Sequence, residues 1–285
     1  MPSAQSDTTP YWSTSATFPP YAKLADDGQA DVVVVGGGMT GLTAAYLLAK
    51  AGKRVLVLER GRRAATDTGH TSAHVTMVTD GRLSDLVNGF GRTHAQAVWD
   101  AGLAAIATID DIVRTHAIDA EFEWVDGYLH APSGEDPGEH AEHLKTDAQL
   151  AGELGFDAEY LDSVPLVGRP GVRFANQARI HPRQYLAGVA KAFVALGGRI
   201  HEYSEADEFC DSPRAVKANG HTVTCADVVI ATHNPLMGFG GMAGATLFQT
   251  KLVPWKRISL KNDPHCDLKG HANHWTPQES LDPER

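Results

Sequence analysis

Three glycines spaced two and three residues apart, Gly36, Gly38 and Gly41, stand directly behind four valines, Val32 to Val35. Glu59 follows about 20 residues later, the separation at which an acidic side chain accepts hydrogen bonds from a ribose. Gly36 permits a tight turn, Gly38 lets backbone approach a pyrophosphate, and Gly41 lets a helix pack closely on a strand. A helix opening at Met39 and Thr40 would turn its unpaired N–H groups and positive dipole end toward that pyrophosphate. Glu59 would also repel a 2′-phosphate, which disfavours NADP, and its removal should weaken cofactor binding while the domain stays folded. Glycines alone would suit a turn in any α/β domain. Strand, glycines, helix, strand and acid in this order point to a dinucleotide.

Several elements must hold these residues. Four β-branched residues in a row suit a strand buried on both faces. Leu42, Ala45, Leu48 and Ala49 then mark a helix capped by Gly52, and Arg54 to Leu58 a second buried strand. After Pro182, the residues Leu186, Val189, Ala190 and Phe193 mark a helix closed by Gly197 and Gly198. Arg199 to Tyr203 reads as a third parallel strand, Asn219-Gly220 as a type I′ hairpin between Val216 and Val223, and Asp227 to Thr232 as another buried strand. Between Glu59 and Pro182 the pattern changes. Leu83, Leu86 and Phe90 suggest a short helix, and Val98, Gly102, Ala105, Ile109, Ile112 and Val113 the buried stripe of a long one. Phe122, Trp124 and Tyr128, Leu129 read as two short strands around an Asp126-Gly127 hairpin turn. Asp136-Pro137 opens a helix carrying Leu144, Ala148, Ala151 and Leu154, which Gly155 ends.

A nicotinamide dehydrogenase normally places its third strand soon after its second, so the long stretch before Arg199 favours a flavin domain interrupted by a substrate domain. The expected fold class is α/β: a Rossmann-like FAD-binding domain with an inserted α+β substrate domain. Residues 1–27 form an N-terminal arm pinned by Tyr11, Trp12 and Tyr21. Residues 28–92 and 182–255 form the discontinuous FAD-binding domain, 93–181 a partial substrate domain, and 256–285 a divergent, solvated tail.

Composition narrows the functional classes. A net charge of −10, from 25 Lys and Arg against 35 Asp and Glu, gives no support to a nucleic-acid or anionic-membrane partner. Cys210, Cys225 and Cys266 are too few and scattered for a disulfide framework, which suits a cytoplasmic location. The first thirty residues lack the basic start and apolar run of a signal peptide, and no apolar run is long enough to span a membrane.

With these residues in view, the chain resembles the FAD-dependent oxidoreductases of the D-amino acid oxidase and glycine oxidase type. It is most similar to bacterial members that resemble gamma-glutamylputrescine oxidase, some of which carry an added Rieske domain. The resemblance rests on Tyr11-Trp12-Ser13, the glycines through Glu59-Arg60, and Gly69-His70-Thr71-Ser72-Ala73-His74. It continues with Val125 to Leu129, His181-Pro182 and Ala231-Thr232-His233-Asn234-Pro235. It implies an FAD site formed by Gly36, Gly38, Met39, Thr40, Gly41, Glu59, Arg60, His70, Thr71, Ser72, Ala73, His74, Ala231 and Thr232. The implied reaction is oxidation of a C–N bond in a small amine or amino acid, with oxygen or another acceptor reoxidising the flavin. Family members continue back through the substrate sheet and contact the flavin ring again near their end. Here the resemblance is expected to fade near Trp255, as in a truncated, frameshifted or divergent chain with weak turnover, unless a partner chain in a homo-oligomer supplies the missing wall. The tail has one cysteine, Cys266, where a Rieske cluster needs two cysteines and two histidines.

Candidate chemistry falls on a few side chains. Hydride transfer needs a neutral amine, and histidine titrates in the relevant range, which makes His70, His74, His181 and His233 candidates by position. Arg173 could clamp a substrate carboxylate bidentately; the plain alternative is a surface arginine beside a strand. Some relatives tether FAD through a histidine, but His70 is one place off that register, so non-covalent binding is expected. His265, Cys266, His271 and His274 do not match a familiar metal-finger spacing, and no metal is expected. Glu121 and Glu123 alternate with aromatics as on the wet face of a strand. The competing readings are a catalytically inactive flavin- or nucleotide-binding remnant and an NAD-linked dehydrogenase.

Overall fold

The computed structural model describes residues 10–16, 18–64, 67–233 and 272–275, the last by backbone alone. The chain divides into two units. Among the described residues the first comprises 10–72, 116–120 and 181–233, and the second 73–115, 121–180 and 272–275.

Unit 1 begins with a short helix α1 (Tyr11–Ser15) and a short strand β1 (Gly28–Gln29), followed by β2 (Val32–Val35), α2 (Met39–Lys50) and β3 (Val55–Leu58). All eight residues of β2 and β3 are buried, as residues of a parallel sheet covered on both faces must be. After unit 2 the chain returns through α6 (Pro182–Ala195), β8 (Arg199–His201), β9 (Ala206–Asp211), β10 (Arg214–Ala218), β11 (His221–Thr224) and β12 (Asp227–Ile230). A four-stranded parallel sheet runs in the order β12-β2-β3-β8. Val33, Val35, Leu56 and Leu58 on one face pack against Val216, Ala218 and Val223 of a second sheet, ordered β1-β11-β10-β9. Helices α2 and α6 pack together, joined by Thr43 Oγ1 and Tyr185 Oη at 3.2 Å. Asn219 and Gly220 both have positive φ, 53° and 79°, between Ala218 and its register partner His221, which is the predicted type I′ turn. The last strand differs from expectation. Among the described residues β12 has β2 as its one neighbour in the sheet, and Ile230 is 45% exposed rather than buried.

Unit 2 contains β4 (His74–Val75), α3 (Leu83–Phe90), α4 (Arg92–Thr115), β5 (Glu123–His130), α5 (Pro137–Glu153), β6 (Ala158–Leu161), β7 (Gly171–Arg179) and β13 (Ala272–Trp275). Its sheet runs β13-β5-β7-β4, with β6 also paired to β7. The chain enters this unit at Ala73, earlier than the expected passage after residue 92. The reason is local: β4 is hydrogen-bonded to Ala178 and Arg179, while Met77, Val78 and Leu83 belong to the core around Trp99. Asp126-Gly127 makes no hairpin turn. Both sides of the dipeptide pair with β7, and the mismatch is absorbed as a bulge opposite Asn176, whose φ is 60°. On α4 the buried face is Ala95, Trp99, Ile106 and Ile112, so the expected stripe is turned and Val98 lies 45% exposed. Trp99 sets that rotation by packing edge-on against Phe156 and Phe174, with ring centroids at 5.2 and 5.5 Å. Asp136 caps α5 through Gly138 N at 2.9 Å, as its sequence implies. Within the tail, β13 pairs in parallel with Asp126 to Leu129 of β5.

Candidate cofactor site

The parallel sheet places the glycines at a point of reversal. From β2 the chain adds β3 and β8 on one side, then returns to add β12 on the other. Ligands of such sheets bind beyond the carboxyl ends of the strands at this switch point. Gly36 follows β2 there with φ of 114°, and Ala231 follows β12, its N–H donating to Val35 O at 2.8 Å. A Cβ on Gly36 would stand 2.4 Å from Ala231 O, and one on Gly41 1.9 Å from Gly36 O. Both contacts are with backbone, so only glycine fits either position. Gly38 is the N-cap of α2 and provides no side-chain cap, and there is no acidic residue in the first turn. The Met39 N–H is met by Thr68 Oγ1 at 3.4 Å. A helix N-terminus without an acidic cap, behind a glycine turn, fits an anionic pyrophosphate.

Glu59 is fixed before any ligand arrives. Its Oε2 accepts from Gly37 N at 2.6 Å and its Oε1 from Gly61 N at 2.8 Å. A carboxylate offers roughly four acceptor positions, so about two remain for ribose hydroxyls. The residues present therefore fit the adenosine diphosphate part of FAD. Arg60 is exposed, and Thr40 lies exposed in the first turn of α2.

The expected run from His70 to His74 is divided. His70 ends a single 3₁₀ turn, Asp67–His70, and is exposed. The Thr71 carbonyl accepts from Trp12 Nε1 at 2.7 Å. Ser72 closes the segment in unit 1, whereas Ala73, buried with φ of 65°, and His74 belong to unit 2. Thr232 N lies 3.4 Å from where a Gly36 Cβ would be, so Ala231 and Thr232 do join the glycine loop. His233 is exposed with φ of 65°.

Two catalytic candidates have structural work. His181 is 1% exposed; its Nδ1 accepts from Gln184 N as the N-cap of α6, and its Nε2 bonds Ser15 Oγ at 2.9 Å. Arg173 meets Asp126, Asp157 and Glu159 at 3.3, 3.1 and 3.2 Å, which ties β5, β6 and β7 together. Glu123 pairs with Arg179 on the neighbouring strand. Among the described residues, no group of His, Cys, Asp and Glu side chains could hold a metal ion, and no helix is long and apolar enough to cross a membrane. His265, Cys266, His271 and the Asn234-Pro235 pair lie outside the described residues, and of His274 only the backbone is described.

Sequence reasoning missed Gly37, Thr68, Arg63 and Glu202. Gly37 was visible as the middle of a glycine triplet, and a Cβ there would stand 3.1 Å from Glu59 Oε2. Arg63 and Glu202 form a buried ion pair at 2.8 Å across 139 residues, which no local pattern could reveal. Burial pulls the Arg63 guanidinium below its ordinary value, with Glu202 opposing the shift.

The sequence profile described as "FAD dependent oxidoreductase" (DAO) matches residues 31–283. The likeness therefore does not fade near Trp255 but runs through most of the tail. A Bacillus subtilis (strain 168) protein named for a Rieske 2Fe-2S iron-sulfur centre, YhfW, is 31% identical over 85% of this chain and 47% of its own length. The gamma-glutamylputrescine oxidoreductase of Escherichia coli (strain K12) is 25% identical over 81% of this chain and 55% of its own. The chain spans about half the length of the curated relatives it matches. Among solved structures, glycine oxidase from Geobacillus kaustophilus superposes with a TM-score of 0.56 at 18% identity, over 72% of this chain and 55% of that one, and so shares the fold. The glycine loop, the ribose carboxylate and the matched profile agree: this chain belongs to the FAD dependent oxidoreductase family, and its cofactor is FAD.

Proposed function

We propose that the chain seats FAD in unit 1 and serves the oxidation of a C–N bond in a small amine or amino acid. The observation that carries this reading is the Glu59 carboxylate locked onto Gly37 and Gly61 beside the N-terminus of α2, whose first turn holds no acidic residue. When bound, FAD would supply the redox chemistry that such an oxidation needs, as the acceptor of a hydride. The chain's own residues would bind and orient it: backbone at Gly36 to Gly41 and the α2 terminus would hold the pyrophosphate, and Glu59 the ribose. His70, His74 and His233 remain the candidates for holding the substrate nitrogen neutral, since His181 is spent on capping α6. The amine or amino-acid substrate is supported by the names of two relatives, gamma-glutamylputrescine oxidoreductase and glycine oxidase. Oxygen or another acceptor would complete the cycle, and we place the protein in the cytoplasm.

The test is anaerobic reduction of FAD-loaded protein by a panel of primary and secondary amines, gamma-glutamyl amines, and D- and L-amino acids, with peroxide release measured in air. Bleaching by a member of the panel supports the reading. Flavin-loaded protein that no member reduces would leave a role in cofactor binding alone.

A further inference from the structure

The segment from Trp12 to Leu24 makes contacts that an arm resting on the surface would not need. Trp12 is 6% exposed, donates its indole N–H to Thr71 O, and packs edge-on against His181 with ring centroids at 4.8 Å. Because His181 Nδ1 accepts from Gln184 N, the ring proton of the neutral imidazole sits on Nε2, which donates to Ser15 Oγ. Arg63 grips the next stretch. Its guanidinium lies 4.7 Å from the Phe18 ring and 4.4 Å from the Tyr21 ring, and Nη2 donates to Pro19 O at 3.0 Å. Glu202, fully buried, accepts from Arg63 Nη1 and from Tyr21 N, at 2.8 and 3.0 Å. Leu24 N donates to Ser204 Oγ at 2.8 Å.

The far ends of these contacts converge on the cofactor loop. Arg63 Cβ lies 3.1 Å from where a Cβ on Gly37 would be, and Gly37 is the residue bonded to Glu59. Thr71 follows the 3₁₀ turn whose Thr68 Oγ1 meets the Met39 N–H at the start of α2. We propose that residues 12–16 and 18–24 act as a strap that sets residues 59–64 and 67–71 against the glycine loop, with Trp12 and Arg63 as positioning residues for FAD. This rests on the FAD assignment above. Ordering of the strap and occupation of the cofactor site are then coupled, and the coupling is reciprocal.

Two measurements test it. In Trp12→Phe, which keeps an aromatic ring and removes the donor, FAD affinity falls about fivefold, the scale of one hydrogen bond. In the wild-type protein, FAD slows hydrogen exchange at the amides of Tyr21 and Leu24. The exchange measurement needs no variant and decides the matter even if Trp12→Phe folds poorly. Unchanged FAD affinity in a folded Trp12→Phe, or exchange at Tyr21 and Leu24 indifferent to FAD, would overturn the strap while leaving the cofactor assignment standing. Wild-type protein that takes up no FAD would overturn both.

Discussion

Replacing Glu59 with alanine should cost the protein twice, once in folding and once in binding. The carboxylate accepts from Gly37 N and Gly61 N at 2.6 and 2.8 Å, and Gly37 is buried. Hydrogen bonds to a charged acceptor contribute about 1.5 to 3 kcal/mol each, and a buried N–H left without a partner costs about 1 to 3 kcal/mol. Glu59 is only half-buried, so water can take over part of this, and a loss of about 2 to 4 kcal/mol in the apo protein is expected. Loss of the ribose contact should weaken FAD binding by a further ten- to hundredfold or so, the equivalent of about 1.5 to 3 kcal/mol. Urea denaturation of the apo protein reads the first effect, and titration with FAD under native conditions reads the second. Glu59→Gln should fall between, because its amide oxygen can accept one N–H while its NH₂ must face the other. The sequence suggested that Glu59 serves mainly the ribose. An apo stability equal to wild type would restore that simpler view, and unchanged FAD affinity would show that the adenosine lies elsewhere.

Other perturbations follow from the same contacts. Gly41→Ala puts a Cβ 1.9 Å from Gly36 O and should destabilise unit 1 by about 3 kcal/mol, with loss of FAD uptake, both read by denaturation with and without cofactor. Arg63→Met leaves Glu202 buried without its cation and should cost about 3 to 5 kcal/mol. The double variant Arg63→Met, Glu202→Leu should recover part of that loss; a double variant as unstable as the sum of the single ones would contradict an uncompensated charge as the cause. Burial holds the His201 imidazole below its ordinary value, so the unfolded chain binds the proton more readily. Stability contributed by neutral His201 is then present above about pH 6.5 and lost as pH falls from there toward the folded value. His201→Gln should flatten stability over that window, and an unaltered pH profile would assign the slope to another group.

The cofactor half of the molecule was legible because its signals are local. Val32 to Val35, the glycine spacing and Glu59 lie within one strand-helix-strand unit, where backbone sterics and burial dictate residue type directly. The Asn219-Gly220 turn and the Asp136-Pro137 cap were legible for the same reason. Where tertiary packing decides, the sequence misled. Trp99 turned the buried face of α4, and the continuous β7 converted an apparent Asp126-Gly127 turn into a bulge. Arg173 looked available for a carboxylate because Asp157 and Glu159 reach it only after β6 pairs with β7. His181 looked catalytic because a cap and a catalytic histidine present the same letter in sequence. The Arg63–Glu202 pair lies beyond any periodic signal.

The most direct measurement is the absorption spectrum of purified protein incubated with FAD, desalted, and then precipitated with acid. The glycine loop and Glu59 predict flavin bands that travel with the protein, and non-covalent binding, as expected from the register of His70, predicts that they pass into the supernatant on precipitation. Colour retained in the pellet would instead indicate a tether at His70 or a neighbour. A folded protein that emerges from FAD colourless would contradict the cofactor site at Gly36 to Gly41.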